Sequence, residues 1–198
     1  MPLSGLIVGL GNPGDGYART RHNFGFMVAD AVREAMEQQR IPGGSCSRFR
    51  KGKDAHIWTL HLGEVSWLLV KPLTFMNLSG RPVARLVREH DLKPEQVLVL
   101  HDELDLELGK MRFKAGGGLA GHNGLKSVAG CLSSREFKRM RLGIDRPPAG
   151  GDVSGYVLGR FSKGEAPHVR ESIDVAAAHV LRYMEVGMEQ AMQELHSA

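Results

Sequence analysis

Three short polar clusters in this sequence carry residue types that can do acid–base chemistry. The first holds Asn12, Tyr17, Thr20, Arg21, His22 and Asn23; the second is Phe75-Met76-Asn77; the third is His101-Asp102, joined later by His122-Asn123. A neutral imidazole accepts a proton from water near pH 7, because its unperturbed pKa is about 6.5. A carboxylate on the other ring nitrogen fixes the tautomer and stabilises the imidazolium that forms. Asparagine amides donate and accept hydrogen bonds without charge, so they can hold a peptide backbone or a developing oxyanion without competing for the proton. The clusters therefore predict His22 as a general base, Asp102 as its partner, and Asn12, Asn77 and Asn123 as uncharged ligands. Taken singly, each of these residues reads more readily as a helix cap or a surface residue.

Other chemistries lack their signatures. There is no G-x-S-x-G turn for a serine nucleophile and no H-E-x-x-H for zinc. His56 and His61 are five positions apart, which puts them on opposite faces of a strand. Cys46 and Cys131 are the two cysteines, without C-x-x-C spacing, and read as reduced thiols on a loop and a helix face. Gly9-x-Gly11-x-x-Gly14 matches a dinucleotide-binding fingerprint, yet Pro13 and Gly16 interrupt the helix that should open at Gly14. The acidic residues about 20 positions on, Glu34 and Glu37, fall inside a helix rather than at a strand end. These glycines are read instead as a turn that swings Asn12 into a cleft, and neither cofactor nor metal is expected.

The clusters must be delivered by the ends of regular elements. Leu6 to Leu10 is a short apolar run ended by Gly11-Asn12-Pro13-Gly14, a buried strand stopped by a turn. Apolar residues at helical spacing predict a helix from Phe24 to Gln39. Ala55 to Leu62 and Val65 to Val70 form a hairpin, and Gly80 to His90 a helix with Ser79 as its cap. Val97 to Leu100 reads as a central strand covered on both faces, carrying His101-Asp102 to its carboxyl end. Lys110 to Ala115 and Phe137 to Ile144 read as strands, with a glycine-rich loop (116–121) and a helix from Asn123 to Leu132 between them. Ser162-Lys163-Gly164-Glu165 has capping-box form and precedes one long helix. The stretches 41–54 and 146–152 read as loops inserted in a single domain covering 1–198. The fold expected is a three-layer α/β/α domain with a mixed, mostly parallel twisted sheet, whose strand ends converge on a ligand site.

The chain has 198 residues and a formal net charge of +4. Nine basic residues (Lys110, Arg112, Lys114, Lys126, Arg135, Lys138, Arg139, Arg141 and Arg146) face two acidic ones between 110 and 146. A second basic run, Arg48, Arg50, Lys51 and Lys53, follows Gly43-Gly44. Each is compatible with a solvated face; together they favour a phosphate-bearing partner. No secretory leader and no apolar run of bilayer length is present, so a soluble cytoplasmic protein is expected. A non-catalytic RNA-binding module and a nucleotide-cofactor oxidoreductase remain open on these grounds.

Gly9-Leu10-Gly11-Asn12-Pro13-Gly14, Tyr17 and Thr20-Arg21-His22-Asn23 with Gly25 strongly resemble the opening of bacterial-type peptidyl-tRNA hydrolases. The likeness continues through Lys71-Pro72, Thr74, Met76-Asn77 and Ser79-Gly80, then His101 to Leu106. It returns in Gly116-Gly117-Gly118, Gly121 to Ser127, Arg141, Gly143-Ile144, Arg146-Pro147 and Tyr156-Val157-Leu158. The resemblance implies a monomeric carboxylic ester hydrolase that frees tRNA from peptides released early by ribosomes. It implies that His22 activates water, that Asp102 stabilises it, and that Asn12 separates peptidyl from aminoacyl substrates. Tyr17, Phe75, Met76, Asn77, His122 and Asn123 would line the substrate site, with Lys114 and Arg141 as a phosphate-binding pair. Two positions depart from the pattern: Ala120 and Asp145 stand where glycine is common. The first would stiffen its loop and the second removes positive charge near the presumed tRNA face.

Overall fold

A computed structural model describes residues 2–197; the side chains of Arg48 and Lys51, and with them half of the second basic run, lie outside the described part, as do Met1 and Ala198. Seven strands form one sheet: β1 (Leu3–Gly9), β2 (Gly44–Lys51), β3 (Ala55–Leu62), β4 (Val65–Pro72), β5 (Val97–Glu103), β6 (Met111–Ala115) and β7 (Lys138–Gly143). Their order is β2-β3-β4-β1-β5-β7-β6. The four central strands β4, β1, β5 and β7 are parallel, while the β2–β3, β3–β4 and β6–β7 pairs are antiparallel. Five of the seven strands thus point the same way, and the sheet is mixed with a parallel centre.

Helices cover both faces, which is why the central strands are continuous in apolar residues. On one face Ile7, Leu69, Leu98, Leu100 and Met140 pack with Phe24, Val28 and Val32 of α1 (Phe24–Glu37) and Val180 and Met184 of α5 (Ala166–Ser197). On the other, Leu6, Val8, Val70 and Val99 pack with Val83 and Leu86 of α2 (Gly80–Glu89) and Leu125 and Val128 of α3 (Asn123–Leu132). Every residue of β5 is buried. Because β4 crosses over β1 to reach β5, chain connections diverge at the carboxyl ends of these strands and open a crevice there.

Several expectations needed correction. The stretch 41–54 is not all loop: Gly44–Lys51 is edge strand β2, so Cys46 lies on a strand. A six-residue helix α4 (Val153–Leu158) follows the loop at 146–152. The long C-terminal helix is broken at Gly187, whose φ of 80° and ψ of −177° leave the helical region, and the chain beyond it folds back so that Glu194 pairs with Arg182 at 2.9 Å. The capping box before it does form, with Ser162 N donating to Glu165 at 2.6 Å and Glu165 N to Ser162 Oγ at 3.2 Å. Ser79, by contrast, is not a side-chain cap; it is itself helical, its hydroxyl is buried without a protein partner, and Gly80 N donates instead to Ser127 Oγ.

The glycines of the opening motif mostly serve close packing. A Cβ on Gly25 would sit 2.2 Å from the Leu100 carbonyl oxygen, and one on Gly9 would sit 2.6 Å from the Gly25 oxygen. A Cβ on Gly11 would enter the Phe26 ring. These contacts let the start of α1 press directly onto the ends of β1 and β5, which holds His22 against Asp102. Gly14 has a φ of 106°, and the chain continues into turns and not a helix, so the dinucleotide fingerprint lacks its phosphate-binding helix terminus.

Candidate active site

Asp102 sits near the carboxyl end of β5 and is 4% exposed. His22 lies in a 3-10 turn, Arg21–Asn23, immediately before α1. Its Nδ1 is 3.0 Å from both carboxylate oxygens of Asp102. His122, the residue preceding α3, places Nε2 2.9 Å from Asp102 Oδ1. Burial alone would push the Asp102 carboxyl up, but the His122 imidazole and then that of His22, by charge and hydrogen bond, outweigh it and hold the group well below the usual carboxylate range. Asp102 is therefore an ionised acceptor, and His22 donates Nδ1–H to it. Among the described residues no protein group bonds His22 Nε2, which leaves the lone pair of that nitrogen as the basic atom.

His101 is buried beneath this pair. Its Nδ1 donates to the Asp102 carbonyl at 2.7 Å, and its ring meets that of His122 edge-on at 5.1 Å. Burial, then His122, push its imidazole down to about 3, so it is neutral at any working pH. It braces the strand end rather than entering the cleft.

The turn after β1 supplies Asn12. Its backbone N donates to Asn23 Oδ1 at 2.8 Å, and Asn23 Nδ2 donates to the Asn12 carbonyl at 2.9 Å. Asn23 thus clamps the turn to the residue beside His22. Asn12 Oδ1 accepts from Met76 N at 2.8 Å, which ties the first polar cluster to the second and leaves the amide's donors to the cleft. Met76 packs against Gly124 so closely that a Cβ there would lie 2.5 Å from its sulfur.

These groups line one cleft of about 720 Å3. Asn12, His22, Phe75, Met76, Asn77, Asp102, His122 and Asn123 all contribute, as the sequence predicted, together with Ala120 and Gly121. Sequence reasoning missed Glu103 and Leu104 from the strand end and the wall formed by Val153, Ser154, Val157 and Leu158 of α4. Phe75, Val153 and Leu158 expose about half their surface, 56%, 44% and 41%, so the rim is apolar while the floor is polar. Tyr17 is not in the lining; it meets the Phe75 ring edge-on, 6.5 Å away.

The sequence placed Arg21 in the first polar cluster without assigning it a partner. Its guanidinium donates to both oxygens of Glu165 at 2.8 and 3.0 Å and to the Arg160 carbonyl at 2.7 Å, and it stacks on Tyr156 at 4.3 Å. This joins the turn bearing His22 to the segment that builds the α4 wall.

The basic stretch divides into scaffold and surface. Lys114 and Arg141 do not line the cleft; both lie on the face of the β6–β7 pair shared with His101. Lys114 is exposed, while Arg141 Nε donates to the buried Glu103 carboxylate at 2.8 Å. Arg139 is 2% exposed and donates to the Gly118 and Gly116 carbonyls, fastening the glycine-rich loop. Ala120 and Asp145 adopt φ of 47° and 62°, a region that favours glycine, which accounts for glycine's fitness at both positions.

His22, Asp102 and His122 have ligand atoms within 4.8 Å of one another, close enough for a metal ion. The 2.9–3.0 Å separations are hydrogen-bond lengths, and an ion would have to displace the protons that now bridge them.

The family model described as peptidyl-tRNA hydrolase matches residues 6–198. A peptidyl-tRNA hydrolase of Nitratidesulfovibrio vulgaris is 48% identical over all of this chain and 98% of its own length. One from Solidesulfovibrio magneticus is 50% identical over 98% of this chain and 94% of its own. The crystal structure of peptidyl-tRNA hydrolase from Acinetobacter baumannii is 33% identical, covers 98% of this chain and 96% of its own, and superimposes with a TM-score of 0.87. With the polar floor, the paired imidazole and carboxylate and the motifs now assembled around one cleft, the chain belongs to the peptidyl-tRNA hydrolase family.

Proposed function

We propose that this chain hydrolyses the ester between the last residue of a peptide and the 3′-terminal ribose of tRNA, with His22 as general base. The supporting observation is the His22–Asp102 pair at 3.0 Å, opening through Nε2 into a cleft floored by amides. Water gives a proton to His22 Nε2 as its oxygen attacks the ester carbonyl. Asn12, Asn77 and Asn123 offer donors to the peptide backbone and to the oxyanion. The ester C–O bond then breaks, and the ribose oxygen takes the proton back from the imidazolium. An alkoxide is a better leaving group than an amide, so one positioned base serves without a covalent intermediate.

On this reading Phe75, Met76 and the α4 wall flank the peptide and the tRNA end, with Tyr17 supporting Phe75. Lys114 and Arg141 meet phosphates. The chain works as a single domain and a monomer, without a metal, in the cytoplasm. No helix among the described residues is long and apolar enough to cross a membrane.

The test is hydrolysis of a purified N-acyl-aminoacyl-tRNA beside the matching free aminoacyl-tRNA, with and without chelator. The expected result is turnover of the first alone, unaffected by chelator, and a loss of roughly 10²–10⁴-fold in His22→Ala. Normal turnover in that variant, with folding intact, removes His22 from the mechanism. Binding of the acylated tRNA without release of the acyl group would leave only an RNA-binding module.

A further inference from the structure

Two imidazoles flank Asp102 at almost equal distance, and the contacts of the second decide which of them can act as a base. His122 Nδ1 accepts from the backbone amides of Gly124 and Leu125, at 3.1 and 3.3 Å, capping the first turn of α3. An amide only donates, so Nδ1 must present its lone pair. The hydrogen of the neutral ring then sits on Nε2, aimed 2.9 Å away at an ionised carboxylate that only accepts. Both nitrogens of His122 are engaged, and the ring has no polar atom left to offer a substrate.

We propose that His122, although it lines the cleft, is a positioning residue whose tautomer is locked by the helix it caps, and that it acts on the reaction through Asp102. Asp102 Oδ1 is shared between His122 and His22, while Oδ2 serves His22 alone. His122 thereby draws off part of the carboxylate's charge and sets how firmly Asp102 holds the Nδ1–H of His22. A second proton cannot enter His122 at Nδ1 without facing two amide hydrogens. The imidazolium formed in turnover is therefore confined to His22, the one ring whose outward nitrogen is open.

The groups facing His122 fit this division. His22 approaches from the turn before α1 with ring centres 4.9 Å apart, and Asp102 and His101 come from β5. The Arg139 guanidinium on β7 disfavours positive charge on His101, the ring packed edge-on against His122. The proposal rests on His22 being the base, but the locked tautomer does not.

His122→Asn separates the two tasks. An asparagine oxygen is among the best helix caps and can take the Gly124 and Leu125 amides, while nothing on its short side chain replaces the donor to Asp102. The expected variant melts where the parent does and has a KM for N-acyl-aminoacyl-tRNA within about twofold of it. Its kcat/KM profile has the acid limb moved up by about one pH unit, because Asp102 now bears on His22 alone and holds its proton more tightly. In the free parent protein, long-range 1H–15N spectra should show His122 as the Nε2–H tautomer throughout the pH range of the acid limb. A tenfold or greater rise in KM with an unmoved acid limb would instead make His122 a substrate ligand. An unmoved limb with unchanged KM, or an imidazolium signature on His122, also overturns the proposal. Full activity in His22→Ala would remove the base reading by itself, leaving the tautomer to stand or fall on the spectra.

Discussion

Asp102→Asn is nearly isosteric, yet the locked His122 makes its consequence predictable. The asparagine must turn its oxygen to His122, whose Nε2–H has no other tautomer to adopt while Nδ1 caps α3. Its NH2 then occupies the Oδ2 position, 3.0 Å from His22 Nδ1. A donor now stands at one of the two positions that His22 Nδ1 faced, while the oxygen shared with His122 stays 3.0 Å away, so the productive tautomer is weakened in competition with the one that carries its hydrogen on Nε2. In that second tautomer the nitrogen facing the cleft cannot take a proton. The imidazolium also loses its counter-charge: two unit charges about 4 Å apart at an effective dielectric near 20 interact by about 4 kcal/mol. That corresponds to roughly a 10³-fold loss of kcat. The assay is single-turnover hydrolysis of N-acyl-aminoacyl-tRNA with thermal melting as the folding control. The double variant Asp102→Asn/His122→Asn carries the reasoning further. With His122 gone, the amide is free to flip, give its oxygen to His22 and restore the productive tautomer, so the double variant should be faster than Asp102→Asn alone. A single-variant loss below tenfold, or a double variant slower than the single one, refutes the tautomer argument.

Three other outcomes follow from neighbouring residues. His101 is neutral in both folded and unfolded chains above about pH 6.5; as pH falls, the unfolded chain gains a proton that the folded chain refuses until about 3. Stability is lost across that window at about 1.4 kcal/mol per pH unit, so His101→Asn should lose about 2 kcal/mol less than the parent between pH 7 and 5 in urea unfolding. Ala120→Gly should stabilise by about 0.5–1 kcal/mol, read as a raised melting temperature, because relief of the left-handed conformation exceeds the entropy that glycine adds to the unfolded chain. Lys114→Ala and Arg141→Ala should each flatten the salt dependence of tRNA binding by about one unit of log–log slope, and an unchanged slope excludes phosphate contact.

What the sequence made legible follows from how each element is stabilised. β5 could be read because Val97 to Leu100 is buried on both faces, and α3 could be read from its polar start and apolar spacing. β2 was missed because an edge strand has one neighbour and half its surface in solvent, so Ser45, Ser47 and Arg50 need no apolar alternation. α4 was missed because six residues with a central Gly155 and two exposed aliphatics carry no helical stripe. The break at Gly187 was hidden by apolar residues on both sides, Met184 and Ala191, that keep helical spacing across it. His22, Asp102 and the asparagines were legible because their chemistry matched across clusters and the motifs holding them resembled one family. The supporting contacts of Asn23, Arg21 and Glu103 were not, since each is made to a backbone or a charge on another segment of the chain. Glu103 did leave a trace: an acid closing a wholly buried strand needs a cation, and a basic stretch follows.

That pairing changes how the positive charge should be counted. Lys138 donates to the Tyr183 hydroxyl at 3.2 Å, Arg139 to loop carbonyls, Arg141 to Glu103 and Arg146 to Asp105. Four of the nine basic residues between 110 and 146 thus engage partners within the protein. On the face of β6 and β7 shared with His101, Arg112 stands directly opposite Arg141, and Lys114 opposite the buried Arg139. Like charges in opposed positions oppose sheet pairing. Glu103 relieves the first pair by drawing Arg141 Nε inward, which still leaves the terminal nitrogens of that guanidinium available. A phosphate bridging Arg112, Lys114 and Arg141 would relieve the same repulsion from outside. On the proposed mechanism the acidic end of β5 would do two tasks from successive residues: Asp102 would set the proton on His22, and Glu103, paired with Arg141, makes a crowded cationic sheet edge tolerable.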